Sequence, residues 1–348
     1  MAYTTINKPS LFFTPKLYTG NDTANTTISG VGFQSDLTWI KSRLDTENQH
    51  LFDSVRGGGN RIYPNLTAAN SYVSTTLTSW NSNGFVVGED DGVNKTNGSF
   101  ASWNWKAGTT GSGTTSGSGT GKPYSYSVNT TSKCSIVKYV GNATAGHTIP
   151  HHLGVAPTCI ILKRYDGGTT RWFVYFAVNG NKAFLELNTN DTMWGNRDEW
   201  NSTTPTSSVF SLGNQTDVNG DGSTYIAYCF ADVAGYSKFS SYTGNGNANG
   251  TFEYLGFKPA YVMIKNNTVA RNWGIWDNKR LGFNPSNSRL HSDTNGAEET
   301  NPNIDLMSNG FKLRDTDGDT NTNAKKYVYM AFAEEPLVGS NNVPATAR

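Results

Sequence analysis

Across 348 residues the formal net charge is only +1 and charged residues make up 16%, well below the ~25% of ordinary chains; with no basic stripe, this argues against a nucleic-acid surface. No apolar run approaches the ~20 residues of a membrane-spanning helix and the first residues lack a charged-then-apolar leader, so no membrane insertion is expected and folding is placed in a cytoplasm. Polarity comes from Asn, Thr, Ser and Gly, which favour turns and short strands over long helices, while aromatic residues, 12% of the chain, supply core mass.

In chain order, residues 1–12 read as a short polar arm. A first unit, 13–107, has strand signals at Leu37 to Ile40, Phe85 to Val87 and Phe100 to Trp105. Between them Ala68 to Ser79 suits either a short helix or a Thr-rich strand. Residues 108–121 are Gly, Ser and Thr almost throughout, so 108–133 is expected to be a flexible linker or surface loop. A second unit, 134–235, contains the continuously apolar Trp172 to Phe176, the pattern of a buried strand, and Ala183 to Leu187, read as another strand. A third unit, 236–336, follows after a short join, so units two and three are expected to pack together. The tail, 337–348, is polar and irregular. Short strands broken by Gly and Asn turns point to an all-β chain of three tandem antiparallel β-sandwiches.

The threefold reading rests on one recurring stretch. Gly32 to Lys41, Gly154 to Lys163 and Gly256 to Lys265 each lead from a Gly-apolar pair through a polar turn into a β-rich run, and the Gly-to-Lys offset is nine every time. An aromatic turn precedes each: Tyr18-Thr19-Gly20-Asn21, Tyr139-Val140-Gly141-Asn142 and Tyr242-Thr243-Gly244-Asn245. Twelve residues after each lysine come Asp53, Tyr175 and Asp277. Phe100 to Trp105, Tyr225 to Phe230 and Tyr327 to Phe332 run aromatic to aromatic at offset five. Matching residue types at fixed offsets are the signature of a repeat.

Several motifs, among them Asp36-Leu37-Thr38-Trp39-Ile40-Lys41, His50-Leu51-Phe52-Asp53-Ser54-Val55-Arg56-Gly57, Trp103-Asn104-Trp105-Lys106-Ala107, His152-Leu153-Gly154-Val155-Ala156-Pro157 and Tyr329-Met330-Ala331-Phe332-Ala333-Glu334, resemble a repeat-bearing family of virion structural and tail-fibre proteins of tailed bacteriophages, common in phages of marine bacteria. The resemblance covers nearly the whole chain. It implies lectin-like sandwiches of the jelly-roll, concanavalin or laminin-G kind, and no catalytic residues. Ser35 stands where the family tends to have Pro, a local turn change. With only a short arm and a short tail around the units, the expectation is a compact adhesin or a decoration protein rather than a whole fibre.

Candidate chemistry is sparse. Asp217-Val218-Asn219-Gly220-Asp221-Gly222 has the front half of a calcium loop, with oxygen ligands alternating before a Gly turn. Asp315, Asp317 and Asp319 occupy the equivalent turn of the third unit. Tyr228 and Lys326 stand where the closing bidentate Glu would be, so no EF-hand forms. A solvated hairpin turn is the simpler reading, weak calcium binding the alternative, and no other cofactor is implied. His147, His151 and His152 are close in sequence, but packing or hydrogen bonding explains them without a metal. Exposed Trp faces are where sugar rings stack, so Trp172, Trp194, Trp200 and Trp273, with Arg197, are the candidate ligand or partner surface; burial in a sandwich core is the competing reading. Cys134, Cys159 and Cys229 read as buried free thiols. No nucleophile elbow or selected carboxylate pair marks an enzyme.

The reading is a non-enzymatic virion surface protein. Its first form is a tail-associated host-recognition protein binding a cell-surface glycan; the alternative is a capsid or tail decoration protein contacting other virion subunits. Oligomerisation is expected, because attachment points are symmetric and multivalency strengthens weak contacts. A homotrimer would follow the habit of phage adhesins. The two termini are the candidate anchoring segments.

Overall fold

A computed structural model describes residues 4–281, 283–300, 304–338 and 344–346. It is an all-β protein whose described strand pairs are antiparallel. One large-sheet order recurs in each third of the chain. A strand bearing the turn tyrosine (Phe13–Thr19, Cys134–Val140, Ser237–Thr243) pairs with the closing aromatic strand (Ser99–Trp105, Thr224–Phe230, Lys326–Pro336). The closing strand pairs with the lysine strand (Leu37–Ser42, Cys159–Arg164, Phe257–Asn266). A fourth strand (His50–Asp53, Trp172–Phe176, Gly274–Asp277) lies outside that.

A smaller sheet covers one face of each large one. It comprises Thr26–Ser29, Gly84–Val87 and Leu77–Asn81 in the first unit, and Ser116–Gly117, His147–Pro150 and Val209–Leu212 in the second. In the third it comprises Phe252–Tyr254, Gly310–Leu313 and Ile304–Met307. Side chains alternate along a strand. Ile40, Ile160, Leu162, Val262 and Ile264 therefore enter the cores between paired sheets, while Trp39, Ile161 and Met263 point the other way.

Those opposite faces do not meet water. The second faces of all three large sheets share one apolar cluster. At its centre Trp105, Phe230 and Phe332, the last aromatic residue of each closing strand, form a triangle with ring centroids 6.3, 5.6 and 5.8 Å apart. The three units thus close around a pseudo-threefold axis. This double burial explains why the lysine and closing strands are apolar almost continuously rather than alternating.

Three expectations change and one open alternative is decided. The supposed linker 108–133 contributes strands Thr109–Thr114 and Pro123–Asn129, which extend the second unit's large sheet, and Ser116–Gly117, which joins its small one. Composition misled there because the tyrosines on the partner strand do the packing: a Cβ on Gly111 or Gly113 would lie 2.7 or 2.9 Å from the nearest ring atom of Tyr126 or Tyr124. The segment Ala68 to Ser79 is not helical; it contains the short strand Ser71–Tyr72 and the start of Leu77–Asn81. Of Ala183 to Leu187 only Leu185–Glu186 is a strand. Finally, the described part of the arm is docked on its own chain: Thr4 donates to the carbonyl of Ala234 at 2.6 Å and Ile6 joins the central cluster. Residues 1–3, 339–343 and 347–348 of the proposed anchoring segments lie outside the described residues.

Candidate functional site

Each of the repeated polar residues has a structural partner. Lys41, Lys163 and Lys265 are buried and point at backbone carbonyls. Lys163 bonds Thr67 of the first unit at 2.8 Å, together with Thr170. Lys265 bonds Asn190 of the second unit at 3.0 Å, together with Arg271. Lys41 stays local, on Ser42 at 2.7 Å and Asp45 at 3.2 Å. Burial pulls Lys41 down to about 8 and Lys163 to about 7, and lowers Lys265 in the same direction.

Gln49, Trp172 and Trp273 hold matching positions and also reach across units. Trp172 Nε1 donates to Tyr63 O at 3.0 Å, Trp273 Nε1 to Glu186 O at 2.8 Å, and Gln49 Nε2 to the carbonyls of His291 and Thr294. Donors therefore run from unit two to one, three to two, and one to three. This is a head-to-tail ring closed within one chain.

Asp53 and Asp277 follow the same cycle. Each is buried against an arginine three residues on, Arg56 at 2.6 Å and Arg280 at 2.7 Å. Asp53 also accepts from Tyr228 of the second unit at 2.8 Å, and Asp277 from Trp103 of the first at 3.0 Å. Register places Phe176, not Tyr175, at the matching position of unit two: Leu37, Cys159 and Tyr261 lie opposite Asp53, Phe176 and Asp277. At the third junction this one position is apolar, with Phe176 and Met330 in the central cluster.

The turns with calcium-like spacing are built around a different device. Asn94, Asn219 and Asn321 are buried, and each accepts from the backbone N–H of the turn asparagine, Asn21, Asn142 or Asn245, at 3.0, 3.0 and 2.9 Å. Asn219 also donates to Thr144 O and Gly213 O, so its amide faces inward. Asp217 lies on the helical turn Thr216–Asn219, and exposed Asp221 pairs with Lys122 at 2.8 Å. In unit three Arg289 lies 3.5 Å from Asp317 and 2.9 Å from Asp319, while Asp315 accepts from the N–H of Asp317 at 3.1 Å. Among the described residues no group of three or more His, Cys, Asp or Glu is placed to hold a metal. The histidines diverge too: His147 bonds Asn219 and Thr115, His151 bonds Thr206 O, and His152 stacks on Tyr126. Burial lowers all three, His151 to about 4. The three cysteines are free and buried.

The tryptophans separate sharply. Trp172, Trp200 and Trp273 are 0%, 1% and 0% exposed, so they cannot form a ligand surface; their indole N–H groups hold backbone carbonyls instead. Trp194 is 38% exposed and Arg197 stands beside it, its guanidinium 5.9 Å from the ring centroid. Arg171, which sequence reasoning missed, approaches the same ring at 5.6 Å. Each arginine is anchored by a buried carboxylate, Arg171 by Glu186 at 2.7 Å and Arg197 by Glu199 at 2.8 Å. Burial raises Glu186. Trp194 is thus a partly exposed indole, stacked on Phe184 with centroids 6.3 Å apart and flanked by two guanidinium groups that carboxylates hold in place, a cation–π cluster at the surface.

No curated protein and no solved structure matches the chain. A family model described as a domain of unknown function (DUF7483) matches residues 8–336, almost the whole chain, and the protein belongs to that family.

Proposed function

We propose that this is a non-enzymatic surface protein of a tailed-phage virion, built from three tandem jelly-roll, lectin-like sandwiches, that recognises a host cell-surface glycan from the tail. The phage assignment rests on the motif resemblance. The observation that carries recognition is the division of labour among the side chains. The repeated Lys, Asp and Asn residues are committed to bonds within the fold, whereas Trp194 with Arg171 and Arg197 lies at the surface. The threefold geometry expected of an adhesin is supplied inside one chain, and attachment to neighbouring virion subunits completes the multivalency.

Replacing Trp194 with Ala should weaken adsorption of the phage to its host roughly 5- to 30-fold, the effect of losing an aromatic anchor worth about 1–2 kcal/mol, with incorporation into particles unchanged. Unaltered adsorption rules out the patch. The decoration reading is favoured by one observation, the 82% exposure of Phe283, an apolar side chain suited to a protein neighbour. Copy number per particle separates the two.

A further inference from the structure

Phe252 and Tyr254 are 42% and 48% exposed, two residues apart on the outer face of the third unit's small sheet, where their strand forms the edge. The other two units act as internal controls for what the fold needs there. Register aligns Phe252 with Thr27 and Thr148, and Tyr254 with Ser29 and Pro150, because Phe85, Phe210 and Phe311 lie opposite Ile28, Ile149 and Glu253. The same fold is thus built twice with small residues at both positions. The strand pairing itself therefore does not require two large rings at these positions. Gly310, opposite Tyr254, is required by the backbone as Gly84 is in unit one: a Cβ would lie 2.0 Å from the carbonyl oxygen of Glu253 or of Ile28.

We propose that Phe252 and Tyr254 are a stacking platform for a neutral polysaccharide, a second glycan site separate from Trp194. Phe252, Lys312 and Asp305 are register partners across the sheet, forming one row on its outer face. The charges along this row are spent within the protein. Arg314 bonds Asp305 at 2.5 Å, Lys312 bonds Gly250 O at 2.8 Å, and Lys238 lies 3.7 Å from Glu253. A ligand with formal charge finds no uncompensated partner, whereas sugar hydroxyls find fixed donors and acceptors beside two apolar ring faces. Asn284, Asp305 and Arg314 line an open hollow at the end of the row, room for the ligand to continue. Two half-exposed rings among charged groups fall far short of the ~800 Å² per partner of a stable subunit interface, and interface cores are depleted in charge. The platform rests on the glycan-binding part of the proposed function, but on neither Trp194 nor a virion location.

The test uses purified full-length protein in affinity electrophoresis through gels containing a galactomannan, a xyloglucan, a mannan or a dextran. Wild type should be retarded by at least one. Phe252→Thr with Tyr254→Ser, the residues unit one carries, should weaken that retardation at least 10-fold while far-UV circular dichroism and thermal midpoint stay unchanged. Trp194→Ala should leave it intact, which separates this site from the first. The converse graft, Thr27→Phe with Ser29→Tyr, should strengthen retardation, since these residues hold the matching register positions in unit one. Retardation that survives the double substitution overturns the proposal, as does wild type passing all four gels unretarded.

Discussion

At the scale of single residues, the polar side chains of the repeat are committed to holding the fold. Asp53 is buried with Arg56 and accepts from Tyr228 across a junction, so Asp53→Ala strands a buried guanidinium. The expected loss is about 3–5 kcal/mol, read as a lowered urea midpoint; a change within experimental error would contradict the role. Lys163 gives a pH signature. Burial lowers it to about 7, while in the unfolded chain it keeps its proton up to about 10.4. The folded state therefore binds fewer protons than the unfolded state between these values, and Lys163 makes stability rise with pH across that window. Lys163→Met should flatten the slope, and equal slopes would refute it. Much of this was legible. The buried asparagines precede Phe100, Tyr225 and Tyr327 by six residues in every unit, an offset as regular as that of the lysines. It was obscured by the calcium-like spacing of the acidic residues around it. That Trp194 alone among the candidate tryptophans is exposed was not legible, because a loop indole and a seam indole have the same local composition.

Among elements, the turn and the helical segment that grips it form the most faithfully repeated device. Tyr18, Tyr139 and Tyr242 stack on Phe100, Tyr225 and Tyr327 with centroids 5.1, 5.0 and 5.0 Å apart. Their hydroxyls donate to the carbonyls of Val93, Val218 and Thr320 at 2.8, 2.7 and 2.7 Å. The glycine two residues on has no room for a side chain: a Cβ on Gly141 would lie 2.3 Å from the carbonyl oxygen of Gly220. Gly141→Ala should therefore destabilise by about 1–3 kcal/mol through backbone overpacking, visible as a lower thermal midpoint; an unchanged midpoint would show that the turn yields. Sequence periodicity located these strands. It failed over 108–133, where glycines packed under tyrosine rings look like a linker, and at Tyr175, where one extra residue shifts the alignment and sends Phe176 to the axis. A slip of one residue exchanges the two faces of a strand, so no offset counted along the chain alone detects it.

For the whole molecule, the three units are not beads. Each keeps a core between its own sheets, but the opposite faces of the large sheets are buried only against one another, so a separated unit would present an aromatic face to water. The all-β character and the positions of the recurring strands were legible in the sequence. Closure into a ring was not, because a buried second face and an ordinary sandwich core use the same residues, and only three-dimensional contacts assign Trp105, Phe230 and Phe332 to one axis. Under the proposed virion role, where the protein sits on the particle separates host recognition from decoration. The deciding measurement is to locate the protein on intact virions with labelled antibody and count copies per particle. Host recognition predicts a few copies confined to the tail; many copies spread over the head would contradict it and make this a decoration protein.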